Sequence, residues 1–179
     1  QIIVSPACGW SYYFNGAEAE SEGIELDISY ALADNLYLDF TGSSMTAETK
    51  TAIESLGAAV GDRLPNTVET QYNVGLTYEY SSPLLNYPSF LRADYLYYGD
   101  SFATFGQTEN MFSPDYSKVN INWGMELNEN NTIQISIDNA TDERTEAFKY
   151  SVNSPSWRPR DYMQWIPPRS VTLTYRHMW

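Results

Sequence analysis

Three carboxylates, Glu18, Glu20 and Glu22, stand two residues apart. In an extended chain that spacing puts them on one face, where they either hold a cation or pair with basic neighbours. Asp138, Asn139, Asp142 and Glu143 gather the hard oxygen donors that calcium takes, but at no spacing that matches a calcium loop. His177 is the only histidine and Cys8 the only cysteine. Neither has the company that a metal set or a nucleophile–base pair requires. No nucleophile elbow, Walker or dinucleotide phrase occurs. With no catalytic constellation, the chain is not expected to be an enzyme, and no metal or cofactor is expected. The richest group of binding side chains is Trp157, Arg158, Arg160, Tyr162, Trp165 and Arg169. Guanidinium forks pair with carboxylates, and aromatic faces stack on rings or sugars. Trp157, Arg158, Arg160 and Trp165 are therefore the candidate ligand-binding residues. The plainer role for the same segment is packing on neighbouring loops and lipid headgroups.

The chain that carries these groups has 179 residues and a net charge of -13, from 23 acidic and 10 basic side chains. That balance argues against a nucleic-acid partner, because a phosphate backbone draws lysine and arginine. One cysteine closes no internal disulfide. At 42% hydrophobic and 15% aromatic, the composition is too rich for a disordered acidic tail. Fifteen tyrosines and five tryptophans suit a boundary between water and something apolar. No apolar run is long enough for a transmembrane helix, and no leader-like start is present.

The elements that position the candidate residues are strands. Apolar and polar residues alternate in seven long stretches, beginning near 24, 36, 71, 91, 118, 133 and 171. Ile2, Ile3 and Val4 add a short eighth. Leu96 is the one clear break on a polar face. Short connections at 33–35, 81–88 and 128–131 alternate with long ones at 48–66, 103–114 and 142–168. Antiparallel strands place alternate connections at opposite ends of a sheet. All short turns therefore fall on one side and all long loops on the other, the layout of a transmembrane β-barrel. The strands are long enough to cross a bilayer with tilt, and tyrosine, tryptophan and phenylalanine recur near their ends. A soluble sandwich or lipocalin-like barrel would also alternate, but with shorter strands and less lopsided connections.

The last eleven residues, RSVTLTYRHMW, form an amphipathic strand ending on an aromatic. This resembles the closing strand of bacterial outer-membrane proteins, which the assembly machinery of that membrane reads. Tyr175 and Trp179 would carry that signal, and His177 departs from it by standing where an apolar residue is usual. Upstream, NGAEAESEGIELD at 15–27, GDRLPN at 61–66, FLRADY at 90–95 and IDNATDE at 137–143 resemble, in order, phrases from the C-terminal part of TonB-dependent outer-membrane receptors. The resemblance implies an all-β fold, about eight strands making the last third of a 22-stranded antiparallel barrel in the cell outer membrane of a Gram-negative-type bacterium. It implies uptake of a scarce nutrient such as an iron chelate or cobalamin. The implied partners are outer-membrane lipids, the small-molecule substrate, the receptor's own plug domain and remaining strands, and TonB acting through an N-terminal part not in this chain.

Residues 1–179 are thus expected to be one C-terminal barrel segment without the plug. The first strand is too short to span, as if cut. A complete small eight-stranded outer-membrane barrel with a structural or adhesive role, or a soluble ligand-binding β-barrel, are the alternatives. In the barrel, Val119, Ile121, Trp123, Ile133, Ile135 and Ile137 should share a lipid-facing side. Lys118, Asn120, Asn122 and Gln134 should point the other way. The loop at 142–168 should fold over the barrel mouth and contribute to ligand capture.

Overall fold

The computed structural model describes residues 2–4, 12–14, 18–83, 85–154 and 157–179, with side chains described outside 1–17, 55, 84 and 151–160. β-Branched and aromatic residues at every second position favour pleated strand, and thirteen strands lie within the described residues. They are β1 (Ile2–Val4), β2 (Tyr12–Phe14), β3 (Ala19–Ala33), β4 (Leu36–Thr49), β5 (Thr70–Ser81), β6 (Pro88–Tyr98), β7 (Ser101–Phe102), β8 (Phe112–Ser113), β9 (Tyr116–Asn128), β10 (Asn131–Asp138), β11 (Glu146–Ser154), β12 (Trp157–Trp165) and β13 (Ser170–His177). Seven of them form one antiparallel sheet in chain order, β3-β4-β5-β6-β9-β10-β13. The other six pair as small hairpins, β1 with β2, β7 with β8, and β11 with β12. Ile2–Val4 is a strand, as the sequence predicts, but its partner is Tyr12–Phe14 and it stands outside the seven-stranded sheet.

The three short connections all close one end of the sheet. Asp34 and Asn35 link β3 to β4, and the Asn35 side chain donates to the Glu79 carbonyl at 3.1 Å, tying this turn to the next hairpin. Between β9 and β10 the Asn128 side chain accepts from the Asn130 backbone N–H at 3.0 Å and from the Asn131 amide at 2.7 Å. At the opposite end lie the long connections. The second of them contains β7 and β8, and the third contains the β11–β12 hairpin. That hairpin replaces the irregular loop expected at 142–168. Pro159 lies inside β12, which is compatible with an edge strand, where a missing N–H faces no partner.

Register converts the alternation into rows. Tyr30, Leu38, Leu76, Ala93, Ile121, Ile137 and Val171 lie side by side across the sheet. The next row on the same face runs Leu36, Tyr78, Leu91, Trp123, Ile135 and Leu173. Between them on the other face lie Ala31, Tyr37, Thr77, Arg92, Asn122, Ser136 and Thr172. The six predicted apolar residues therefore share one side, and Lys118, Asn120, Asn122 and Gln134 the other. Leu96 interrupts the polar side between Asn73 and Lys118. Phe90 interrupts it again, its ring lying on Gly124, where any Cβ would collide with it.

Among the described residues, nothing forms a second layer on the apolar side. Val171, Leu173 and Tyr175 are 67%, 72% and 61% exposed. Among the described residues the buried hydrophobic side chains are Ala47, Ile53, Ala58, Met111 and Ile166, all at the long-loop end. Aromatic rings bound the apolar side. Toward the long loops Phe40, Tyr72, Tyr95 and Tyr97 form a chain of contacts with ring centroids 5.1–6.4 Å apart. Toward the short turns Tyr78 stacks on Tyr80 at 5.5 Å, and the Trp123 indole N–H donates to the Tyr80 hydroxyl at 2.8 Å. Tyr72 and Tyr80 are separated by about 26 Å along β5 at ~3.3 Å per residue. With the usual barrel tilt that is roughly 20 Å of height, near the apolar band of an outer-membrane barrel.

Ile135 lies on the apolar side between Trp123 and Leu173, and Gln134 beside it on the polar side. Arginine on a lipid face at mid-membrane costs about 2–4 kcal/mol. Ile135→Arg is expected to lower the yield of folded barrel, measured by heat-modifiable gel migration, well below that of Gln134→Arg.

Candidate functional site

The polar side of the sheet is organised by one arginine. Arg92 leaves β6 and holds Asp94 of its own strand, Nη2 to Oδ1 at 2.7 Å and Nε to Oδ2 at 3.0 Å. Its Nη1 then donates to the Thr77 hydroxyl of β5 at 2.9 Å and to Asp39 Oδ2 of β4 at 2.7 Å. Asp39 accepts a further hydrogen bond from Ser29 of β3 at 2.9 Å. The guanidinium thus reaches across an entire strand. It can do so because residue 75, the β5 position in register with Asp39 and Asp94, is glycine. A Cβ there would collide with Arg92 Nη2. One cation held by two carboxylates ties four strands together and leaves the wall with a net negative charge.

At the long-loop end the chain builds a packed layer. Arg63, from the first long connection, contacts Glu69 at 3.1 Å and donates to the Asp100 carboxylate at 2.7 Å and the Asp100 carbonyl at 2.9 Å. Its guanidinium carbon lies 5.8 Å from the centre of the Phe102 ring. The Asn66 backbone N–H donates to the Phe102 carbonyl at 2.7 Å. The first and second connections are therefore joined.

The third connection turns on Asn139. Asn139 and Asp142 both adopt left-handed backbone, φ 50° and 53°, which asparagine and aspartate tolerate better than most residues. The buried Asn139 side chain donates to the Glu143 and Pro167 carbonyls at 2.9 and 3.0 Å and accepts from the Glu143 N–H at 2.9 Å. Asp142 accepts from the Arg169 N–H at 3.0 Å, and Arg144 contacts it at 3.1 Å. The Arg169 N–H first, and Arg144 after it, hold the Asp142 carboxyl below the usual carboxylate range. The oxygen cluster around 138–143 is thus a turn in which the Asn139 and Asp142 side-chain acceptors are occupied by the protein's own donors. No group of three or more potential metal ligands is present among the described residues.

The candidate ligand residues Trp157, Arg158, Arg160 and Trp165 all lie on β12. Trp165 is 54% exposed at the base of the hairpin. The side chains of Trp157, Arg158 and Arg160 lie outside the described residues, as does Cys8. Beyond the expected set, Tyr162 stacks on Tyr150 of β11 with centroids 4.7 Å apart and planes 8° from parallel. Glu20 of the Glu18–Glu20–Glu22 series pairs with Lys50 at 2.6 Å, so this face meets a basic neighbour. At the other end of the sheet, Asn131 accepts from the Tyr175 hydroxyl at 2.5 Å and stands 2.8 Å from His177 Nδ1. His177 contacts Trp179 edge-on at 4.6 Å. Trp179 itself is fully exposed.

A wall with one apolar and one charged side, short turns at one end and packed loops at the other, has relatives. The family model for the β-barrel of TonB-dependent receptors matches residues 1–140. The chain belongs to this family. Its members are receptors and transporters in the outer membrane of Gram-negative bacteria. No curated protein matches the receptor chain in sequence. Among solved structures it is similar to the ferric yersiniabactin uptake receptor FyuA of Yersinia pestis, with a TM-score of 0.73 and 18% identity over 91% of this chain and 24% of that one. It is similar to the siderophore receptor PiuA of Acinetobacter baumannii, with a TM-score of 0.68 and 17% identity over 90% and 22%. It is also similar to the ferric-catecholate import receptor Fiu of E. coli K12, with a TM-score of 0.65 and 17% identity over 98% and 23%. At such identities the likeness is one of fold. The receptor chain spans about a quarter of each of these proteins, and it is a portion of a barrel.

Two outcomes follow for the full-length receptor. Asp39→Asn is expected to lower the urea midpoint of unfolding slightly, as loss of a solvent-screened ion pair does. In a Gly75→Val background, where Arg92 is already displaced, the same change should cost close to nothing, a coupling that a double-mutant cycle measures. Asn139→Ala removes three bonds of about 1 kcal/mol each and leaves alanine at a left-handed φ. Limited proteolysis of the folded receptor should then cut within 142–168 at least tenfold faster, with the rest of the barrel intact.

Proposed function

We propose that this chain is the C-terminal wall of an outer-membrane receptor that takes up a scarce nutrient, an iron chelate first among the candidates. The observation that carries the reading is the single-layer sheet with an apolar side between two aromatic belts and a charge-paired opposite side. Such a sheet separates hydrocarbon from a wet interior. That FyuA, PiuA and Fiu are ferric-chelate or siderophore receptors favours iron over cobalamin or carbohydrate. In this reading the apolar side meets outer-membrane lipids. The Arg92 side faces the receptor's own plug domain, and strands outside this chain close both edges, because unpaired backbone groups in hydrocarbon cost several kcal/mol each. TonB acts through an N-terminal part outside this chain. The substrate is a small molecule, moved without covalent chemistry, and β12 with Trp157, Arg158, Arg160 and Trp165 takes part in its capture. Tyr175 and Trp179 present the assembly signal.

The test uses the full-length receptor. A deletion strain under iron limitation should regain growth on at least one ferric chelate when the receptor is restored, and not when its TonB-engaging segment is removed. Rescue by cobalamin or an oligosaccharide alone would replace the iron reading. Replacing Arg158 and Arg160 together with alanine should weaken chelate binding about tenfold at normal surface expression. Unchanged affinity would remove β12 from the site, and lost expression would assign it to packing.

A further inference from the structure

The polar side of the sheet divides into two unlike halves. On β3 to β6 it carries Glu25, Asp27, Asp39, Glu79 and Asp94 against one base, Arg92, for a net charge of -4. On β9, β10 and β13 it carries Lys118, Arg176, Glu126 and Asp138, for a net charge of zero. Those four stand near the strand ends, Lys118 and Asp138 toward the long loops, Glu126 and Arg176 toward the short turns. Between them Asn120, Asn122, Gln134, Ser136, Thr172 and Thr174 lie in adjoining rows with Gly124. At ~4.8 Å between strands and ~3.3 Å per residue, this uncharged block is about 10 Å wide and about 13 Å tall.

The halves also differ in how their side chains are held. Arg92 ties the charged half together through Asp94, Thr77 and Asp39. Beside that cluster is a hollow of about 480 Å³, to which two adjacent polar-side rows contribute Glu25, Asp27, Thr41, Ser43, Gln71 and Asn73. Glu25 and Asp27 form no ion pair among the described residues. Carboxylates beside a hollow match a cationic side chain from the part of the receptor outside this chain. In the uncharged block the side chains make one hydrogen bond to each other among the described residues, from Gln134 Nε2 to the Ser136 hydroxyl at 3.3 Å. Its amides and hydroxyls keep most of their capacity for water or a passing solute.

A route needs groups that replace a solute's water and then release it. Exchanging a neutral hydrogen bond with water for one with an amide or hydroxyl changes the free energy little, so such a surface lets a hydrated solute move. Fixed carboxylates instead hold a cation and repel an anion. We infer that the β9–β10–β13 half of the wall lines the route that substrate takes through the barrel, while the plug stays seated on the β4–β6 half. The inference rests on the uptake reading above and adds which part of the wall the substrate passes.

The experiment reads solvent access in cells. Single cysteines are placed in the full-length receptor after its native cysteines, Cys8 included, are replaced by serine. Ser136→Cys and Thr172→Cys report on the uncharged block, Thr41→Cys and Ser43→Cys on the hollow. The probe is a sulfonated maleimide, polar and membrane-impermeant. It is added to cells importing the nutrient that restores their growth, a ferric chelate in the proposed reading. Labelling at positions 136 and 172 should rise at least tenfold over the same receptor lacking its TonB-engaging segment. Labelling at 41 and 43 should change less than twofold. Folding is read from heat-modifiable migration, and Gln134→Cys and Thr174→Cys replace any block variant that does not fold. As a second measurement, Ser136→Trp with Thr172→Trp should slow uptake at least tenfold and leave binding at the cell surface within twofold. An equal rise on both halves, a rise at 41 and 43 alone, or no rise in cells that grow on the nutrient overturns the inference and leaves the receptor reading standing. So does undiminished uptake by a folded tryptophan variant. Growth restored by no nutrient, with no rise in labelling at any position, overturns both.

Discussion

A strand between hydrocarbon and water must satisfy two solvents with alternate side chains and leave no backbone group unpaired. Nearly every feature of the sheet follows from that constraint. Period two sends isoleucine, leucine and tyrosine to one side and asparagine, threonine and charged residues to the other. Register then lines like with like across neighbouring strands, as in the row from Tyr30 to Val171. A slip of one residue in any strand would exchange its two faces. The short turns prevent this by holding neighbouring strands through specific bonds, as Asn128 does between β9 and β10.

The same constraint explains how charge is carried. A side chain on the polar side has water or protein before it and a sheet behind it, so its partners are cross-strand neighbours. Arg92 meets this by lying flat across β5, which costs residue 75 its side chain. The carboxylates on either side, Asp39 and Asp94, are both engaged by the one guanidinium, which leaves the cluster one negative charge in excess. Phe90 over Gly124 repeats the arrangement with an aromatic ring in place of a guanidinium. In both cases a glycine in mid-strand gives room to a large neighbour, as glycine in a strand interior often does.

The strands and their order were legible in the sequence because both rest on simple signals, side-chain alternation and the lengths of connections. The exceptions are instructive. The β11–β12 hairpin was hidden because Pro159 and the mixed polarity of 157–165 read as loop, and because it pairs only with itself. Tyr150 and Tyr162 had no visible relation until the register put them opposite one another. Asn139 and Asp142 were legible as oxygen donors but not as a turn, since only the backbone reveals that their acceptors meet the N–H groups of Glu143 and Arg169. Gly75 gave one readable sign, a glycine inside an alternating strand, which on its own does not say which side chain needs the space. The side chains of Arg158 and Arg160 remain candidates on sequence grounds alone.

The placement of packing in this chain also bears on where specificity can reside. The sheet buries almost nothing hydrophobic among the described residues, and in the proposed reading its apolar residues answer to lipid, which tolerates many side chains of similar character. The long-loop end is different. Ile53, Ala58, Met111 and Ile166 are buried there, Arg63 joins two connections, and Asn139 anchors the third. Close-packed interiors respond to changes of a single methylene, so this layer is the part of the chain whose shape depends on exact side-chain identity. A recognition surface needs groups held in place before the ligand arrives, since ordering them on binding consumes affinity. The loops therefore have the physical property that selection among ligands requires, and the wall has the one that a membrane requires.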